Sequence, residues 1–169
     1  MKQLYYDVKK CLGCKSCEIA CSLAHSLTGE LFKALGEEVL SLPRKKVLAS
    51  GGKNYPVSCR HCKAPICVDA CMAAALTYDK EKGMVIHDDK RCVGCWMCVM
   101  VCPYGAIRPN IKTKIPIACD KCKDKSRPFW DKEEASSRKG RDKDEPACVK
   151  ACPTGAIIWQ EEVLIDTKK

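Results

Sequence analysis

The chain has 169 residues, enough for one domain or two small intimate ones. Its 46% hydrophobic content includes sixteen cysteines, and only two Phe, three Trp and five Tyr add aromatic bulk, so an ordinary apolar core is not expected to hold it alone. The formal charge of +9 points towards a nucleic-acid surface, but it counts every cysteine as neutral.

The first ten residues, MKQLYYDVKK, contain no apolar signal-peptide run and no twin arginine, and no later stretch has the length of a membrane span. The expected location is the cytoplasm, with membrane association only through a partner. In that compartment clustered cysteines are metal ligands more often than disulfides.

In chain order, residues 2–8 place Leu4, Tyr6 and Val8 on one side and predict a strand. Cys11, Cys14, Cys17 and Cys21 follow as C-x2-C-x2-C-x3-C, and a short helix is expected at 22–27. Residues 39–48 read as extended. Cys59, Cys62, Cys67 and Cys71 form a second group, C-x2-C-x4-C-x3-C, with a helix expected at 68–75. Residues 75–78 and 84–87 flank Lys80-Glu81-Lys82-Gly83 and predict a hairpin. Cys92, Cys95, Cys98 and Cys102 repeat the first spacing and are followed by Pro103. The fourth group splits into Cys119 and Cys122, then Cys148 and Cys152, across a 25-residue gap. Residues 156–159 and 162–165 read as a closing hairpin.

The first and third groups have the spacing of bacterial iron–sulfur loops. Three close cysteines wrap one cube, and the fourth points away to a different one, so clusters are bound in reciprocal pairs. Gly13 and Gly94, each just before the second cysteine, let the loop turn tightly and bring N–H groups towards sulfur. Zinc sites join two C-x2-C pairs across a spacer and have no reason to repeat C-x2-C-x2-C-x3-C-P. A disulfide scaffold requires a secretory signal. Four [4Fe–4S] clusters are therefore expected. Each cube with four thiolates carries about −2, which brings the loaded chain to about +1. The basic residues then compensate the clusters, and no nucleic-acid partner is expected.

The halves align as a repeat, CLGCKSCEIAC beside CVGCWMCVMVC, and CRHCKAPICVDAC beside CDKCK and PACVKAC. Duplication alone pairs the first group with the second and the third with the fourth. The short separation between the second and third groups favours pairing those two, with the first and fourth closing an outer module. Both arrangements stay open on spacing. The insertion 123–147 is dense in charge and reads either as a surface excursion or as a docking element anchored by Phe129 and Trp130.

Four cysteine groups with one long gap resemble the four-cluster ferredoxin-like electron-transfer subunits of dimethyl-sulfoxide-reductase, formate-dehydrogenase and hydrogenase systems. The resemblance covers nearly the whole chain. YDVKKCLGCKSCEIACSLAHS and VSCRHCKAPICVDAC further resemble the ferredoxin-like partner of nickel carbon-monoxide dehydrogenase. The resemblance implies an α+β fold of two ferredoxin-like dicluster modules nested in sequence, with small strands and short helices around the cubes. The outer module takes 1–58 with 103–169, and the inner takes 59–102. It implies four ligand sets: Cys11, Cys14, Cys17 and Cys152; Cys21, Cys119, Cys122 and Cys148; Cys59, Cys62, Cys67 and Cys102; Cys71, Cys92, Cys95 and Cys98. Some relatives put tryptophan in the third group and hold a three-iron cluster, but here Cys95 is present with Trp96 beside it. Ser22 and Met72 depart from the family proline after Cys21 and Cys71.

The expected function is one-electron relay. The electrons pass from carbon-monoxide dehydrogenase to a hydrogenase or a flavin-dependent NAD(P) oxidoreductase. The alternatives are the equivalent subunit of a molybdenum oxidoreductase or formate–hydrogen system, and a zinc-stabilised interaction or nucleic-acid module. Lys15, Arg60, Lys63, Lys121 and Lys123 adjoin ligand cysteines and either raise local potentials or are ordinary solvated residues. His61 either donates to its cluster or faces solvent, while His25 and His87 read as ordinary polar residues. Trp96, Tyr104 and Trp159 are expected to pack around clusters. No G-x-G-x-x-G, P-loop or nucleophile–base set is present, so neither catalytic residues nor a small-molecule substrate are expected.

Overall fold

The last two cysteines of every group are spaced i, i+4, which puts both side chains on one face of a helical turn. The computed structural model describes residues 2–123 and 145–161. It builds a short helix around each of these pairs. Cys17 and Cys21 lie in α1 (Ser16–Ala24). A further helix, α2 (Leu31–Leu35), occupies the connection that follows. Cys67 lies in α3 (Ile66–Asp69), Cys98 in α4 (Met97–Val101) and Cys148 in α5 (Ala147–Lys150). The helices expected at 22–27 and 68–75 therefore start earlier, before the distal cysteines. Lys15 and Trp96, both left-handed, launch α1 and α4, whereas Pro65 and Pro146 immediately precede α3 and α5.

Eight strands among the described residues form four two-stranded antiparallel ribbons. They are β1 (Lys2–Tyr6), β2 (Lys45–Ser50), β3 (Lys53–Ser58), β4 (Leu76–Asp79), β5 (Met84–His87), β6 (Arg108–Asn110), β7 (Ile115–Ile117) and β8 (Ile157–Glu161). β2 pairs with β3, β4 with β5 and β6 with β7. The expected hairpin around Lys80 to Gly83 is present. The extended segment expected at 39–48 becomes regular only from Lys45. The strand expected at 156–159 exists as β8, but it pairs with β1, running from Tyr6↔Ile157 to Lys2↔Glu161. The expected hairpin partner at 162–165, and the insertion with Phe129 and Trp130, lie outside the described residues.

Apolar packing is local and small. Val47, Val149, Ala156 and Ile157 gather around Cys17, Cys148 and Cys152, with Leu4, Tyr6 and Trp159 against them. Ala20 and Ala24 of α1 meet Cys122 and Ala147, so the first and last helices pack together. A third cluster joins Leu76, Cys98 and Ile107, with Cys67, Cys71, Cys102 and Ala118 at its edge, where α3 meets α4. Cysteine takes part in all three, as expected of a chain whose core is completed by what its cysteines hold.

Candidate metal centre

The loops before the helices share one backbone device. The residue just before the second cysteine is left-handed in all four groups: Gly13 (φ 71), His61 (φ 48), Gly94 (φ 69) and Lys121 (φ 56). Sequence reading identified it only where glycine advertises it. A ribbon leans on two of these loops. Asn54 at the start of β3 donates from Nδ2 to the Cys11 carbonyl at 3.2 Å. The Lys114 carbonyl, beside β7, approaches Gly94 so closely that a Cβ there meets it at 2.7 Å.

None of the sixteen cysteines forms a disulfide. Cys11, Cys14 and Cys17 line one small cavity together with Cys152. Cys71, Cys92, Cys95 and Cys98 line a second, with His87 and Trp96 beside them. The other eight come together in the electrostatics of burial. Burial raises the Cys122 thiol, and Cys148, Cys21 and Cys119 raise it further. Burial pushes Cys21 up to about 12, with Cys119 and Cys148 contributing. Burial likewise carries Cys59 to about 12, with Cys67 and Cys62 adding to it. Cys67 is raised first by burial and then by Cys102 and Cys62.

Electrostatic influences of the same kind run between the groups in a row. Cys17 feels Cys148, Cys59 feels Cys119, and Cys98 feels Cys67. Cys14 and Cys95, at the two ends of that row, are exposed. Lys121 ties the ends of the chain to the middle, donating from Nζ to the carbonyls of Lys2 at 3.3 Å and Gly83 at 3.1 Å.

Backbone N–H groups already aim at several sulfurs: Arg44 to Cys21 Sγ at 3.2 Å, Ala75 to Cys71 at 3.3 Å and His61 to Cys59 at 3.5 Å. Cys152 is the thiol that is lowered. Its burial is outweighed by the N–H groups of Ile157, Ala156 and Thr154 and by the Thr154 hydroxyl. Such donors favour sulfur in its anionic, metal-bound form.

Polar groups around the cysteines sort differently from their appearance in sequence. His61 does not face solvent: it is 3% exposed, and its Nδ1 accepts the Val85 N–H at 3.1 Å. Burial, helped by Lys121, lowers its pKa to about 4, so the ring is neutral. His61 Nε2, His87 Nε2 and Trp159 Nε1 are buried without a hydrogen-bond partner among the described residues. His25, expected to be an ordinary polar residue, is tied into the site. Its Nδ1 lies 2.7 Å from the Cys21 carbonyl, and its Nε2 lies 3.0 Å from Asp120 Oδ1. Arg44 pairs with the same carboxylate at 2.8 Å. His25, Asp120 and Cys122 converge within 4.8 Å, yet the guanidinium already answers the carboxylate, so this is an ion-pair network and not a further metal site. Arg60 stacks on Tyr104, 4.1 Å from the ring centroid. Lys15, Lys63 and Lys123 are exposed.

Comparison with known proteins agrees with this donor set. A family described as "4Fe-4S dicluster domain" matches residues 52–162, and one described as "4Fe-4S binding domain" matches 9–28. The chain belongs to the 4Fe–4S dicluster family. An iron–sulfur protein of Rhodospirillum rubrum is 35% identical over 164 residues, spanning 91% of this chain and 79% of that one. Electron transport protein HydN of Escherichia coli K12 is 34% identical over 166 residues, spanning 90% and 83%. The B subunit of the anaerobic dimethyl sulfoxide reductase of the same strain is 32% identical over 161 residues, spanning 90% and 70%. As a dicluster-family member with sixteen free cysteines, the chain has four [4Fe–4S] clusters as its cofactors. The residues fit that load: thiols in fours, N–H groups aimed at sulfur, and buried ring nitrogens lacking acceptors. Among the described residues no helix is long and apolar enough to cross a membrane.

Proposed function

We propose that this iron–sulfur electron-transfer subunit passes single electrons along a row of four clusters held by nested ligand sets. In order, the sets are Cys11, Cys14, Cys17 and Cys152; Cys21, Cys119, Cys122 and Cys148; Cys59, Cys62, Cys67 and Cys102; and Cys71, Cys92, Cys95 and Cys98. The clusters supply one-electron redox chemistry with little rearrangement. The chain of electrostatic influences, Cys148 on Cys17, Cys119 on Cys59 and Cys67 on Cys98, supports the reading, as does the shared packing of Cys17 with Cys148 and of Cys67 with Cys98. It links each set to the next.

The protein's own part is to hold, insulate and tune. The pairing of β1 with β8 brings Cys152 back to the first loop. Cys21, Cys122 and Cys148 of the second set are buried, while Cys14 and Cys95 leave both ends of the row open to partners. Ile107 and Ala118 flank the β6–β7 ribbon and pack on Leu76 and Cys98. This packing favours grouping the ribbon with the inner module, in place of the expected assignment of 103–169 to the outer one, with the outer module formed by the two ends of the chain.

For partners, we favour carbon-monoxide dehydrogenase as donor and a hydrogenase or flavin-dependent NAD(P) oxidoreductase as acceptor. The motif YDVKKCLGCKSCEIACSLAHS supports this choice. The second reading is a subunit of a molybdenum oxidoreductase or formate–hydrogen system, which the likeness to the B subunit of dimethyl sulfoxide reductase favours. Anaerobic affinity capture with iron and sulfide analysis decides between them. The expected outcome is about sixteen irons per chain, four per cube, with carbon-monoxide dehydrogenase recovered. Stoichiometric zinc overturns the relay. Recovery of a molybdenum subunit without carbon-monoxide dehydrogenase overturns the partner.

A further inference from the structure

Lys45 opens β2 and is 3% exposed. Its ammonium stands 4.9 Å from the centroid of the Tyr6 ring, and Nζ donates to the Tyr6 hydroxyl at 3.5 Å. That hydroxyl also shares a hydrogen bond with the buried Ser58, the residue opposite Lys45 in the β2–β3 ribbon. Among the described residues no carboxylate forms an ion pair with Lys45. Tyr6 does not supply the missing charge, because burial pushes its phenol up to about 12 and keeps it neutral.

A buried ammonium without an anion is normally driven to its neutral form. Here sulfur is at hand: the Tyr6 ring beneath the ammonium and Val47, on the same buried face of β2, both pack with Cys17, Cys148 and Cys152, and anionic sulfur favours the charged ammonium against burial. The influence is mutual, since Lys45 lowers the thiols of Cys17, Cys21 and Cys119. These cysteines fall in the first two ligand sets of the proposed row, so the ammonium adjoins both. The basic residues picked out by adjacency to cysteines in sequence are different. Lys15, Lys63 and Lys123 stand in solvent, which screens their charge. Arg60 is committed to Tyr104, and Lys121 to two carbonyls.

We infer that Lys45 is the internal countercharge of the two outer-module clusters and a positioning residue that raises their reduction potentials. The inference rests on the proposed ligand sets. The step it affects is addition of one electron to a cluster, which makes the site more negative by one unit. A fixed positive charge in a water-excluded setting favours that reduced form. Tyr6 and Ser58 hold the ammonium in place.

The test is an anaerobic redox titration of the loaded full-length chain, followed by electron paramagnetic resonance, for the parent, Lys45→Met and Lys45→Arg. The parent should hold about sixteen irons and four reducible clusters; if it does not, the cluster reading itself fails. Lys45→Met should shift two of the four clusters downward, with the reduced-to-oxidised ratio at fixed potential falling at least about tenfold, or ~59 mV for one electron. Those two should be the clusters perturbed by Cys152→Ala and Cys148→Ala. Lys45→Arg should leave the potentials near the parent's. Four unchanged potentials in an iron-replete Lys45→Met, or an equal shift of all four, overturn the inference while leaving the relay standing. If Lys45→Met loses iron, Lys45→Arg decides. Full iron with parental potentials in the arginine variant supports the countercharge, and iron loss in both variants overturns it.

Discussion

Val85 donates its backbone N–H to Nδ1 of His61 at 3.1 Å, linking the β4–β5 ribbon to the loop that carries Cys59 and Cys62. This bond fixes the tautomer. Since Nδ1 accepts and the ring is neutral, the proton sits on Nε2, which is buried and has no acceptor among the described residues. A buried donor left unsatisfied costs about 1–3 kcal/mol, so an acceptor is expected, and a sulfur of the cluster that Cys59 and Cys62 would hold could supply it. His61→Asn keeps a residue that tolerates the left-handed backbone but withdraws the ring. The expected result is a folded protein destabilised by about 1–3 kcal/mol, with one cluster shifted to lower potential. Redox titration checks it, and an unshifted potential leaves His61 a packing residue only.

Gly94 meets two constraints at once. Its φ of +69 is left-handed, and an added Cβ lies 2.7 Å from the Lys114 backbone carbonyl, which has no flexible end to move aside. The conformation alone costs a non-glycine residue roughly 1–2 kcal/mol. Gly105 is also left-handed (φ +54) but opens onto empty space. Gly94→Ala should therefore lose clusters at lower denaturant than Gly105→Ala, as followed by the visible absorbance of the clusters. Equal midpoints for the two variants refute the role of the β6–β7 ribbon as a clamp on the third loop.

Asp120 anchors the fourth group to α1. Burial disfavours its charge, but the His25 hydrogen bond and the Arg44 guanidinium outweigh burial and bring its pKa down to about 2. The carboxylate also accepts the backbone N–H of Cys122 at 3.1 Å. Asp120→Asn keeps the shape and removes the charge, leaving Arg44 without its partner. A loss of about 1–3 kcal/mol is expected, at the low end for a broken buried pair because the site is partly open to water. Iron loss to a chelator should accelerate, and the outer-module clusters should go first. A chelation rate equal to the parent's contradicts this anchoring.

Features written in local spacing were legible in the sequence. The β4–β5 ribbon follows from alternation around a charged turn ending in Gly83. The cysteine groups follow from their intervals. The helices were misplaced because the expectation put them after the distal cysteines. The i, i+4 spacing of Cys17 with Cys21 had already required a helix between them. The partner of β8 was hidden because β1 lies at the opposite end of the chain, and no local pattern specifies a pairing over that distance. Lys45 was missed because lysine is ordinarily a solvated residue. The available clue was that Lys45 and Val47 alternate onto one face of β2, and both are buried.

Cys152 tests whether the two ends of the chain close on one another around a single cluster. It lies 131 residues after Cys21 in sequence, yet it lines the same cavity as Cys11, Cys14 and Cys17. Its sulfur is met by the N–H groups of Thr154, Ala156 and Ile157, donors that suit a thiolate bound to iron. Removing the sulfur leaves those donors unanswered and leaves three cysteines to hold the cube. Cys152→Ala should lose or convert one cluster, the one that also responds to Cys14→Ala, while the other three keep their signals. Cys102→Ala should instead disturb the cluster that responds to Cys62→Ala, because Cys102 raises Cys67 in the inner set. Resonance spectra of the two variants separate the outcomes. If Cys152→Ala alters the cluster that depends on Cys95, the third and fourth groups pair with each other, and the nested arrangement is wrong.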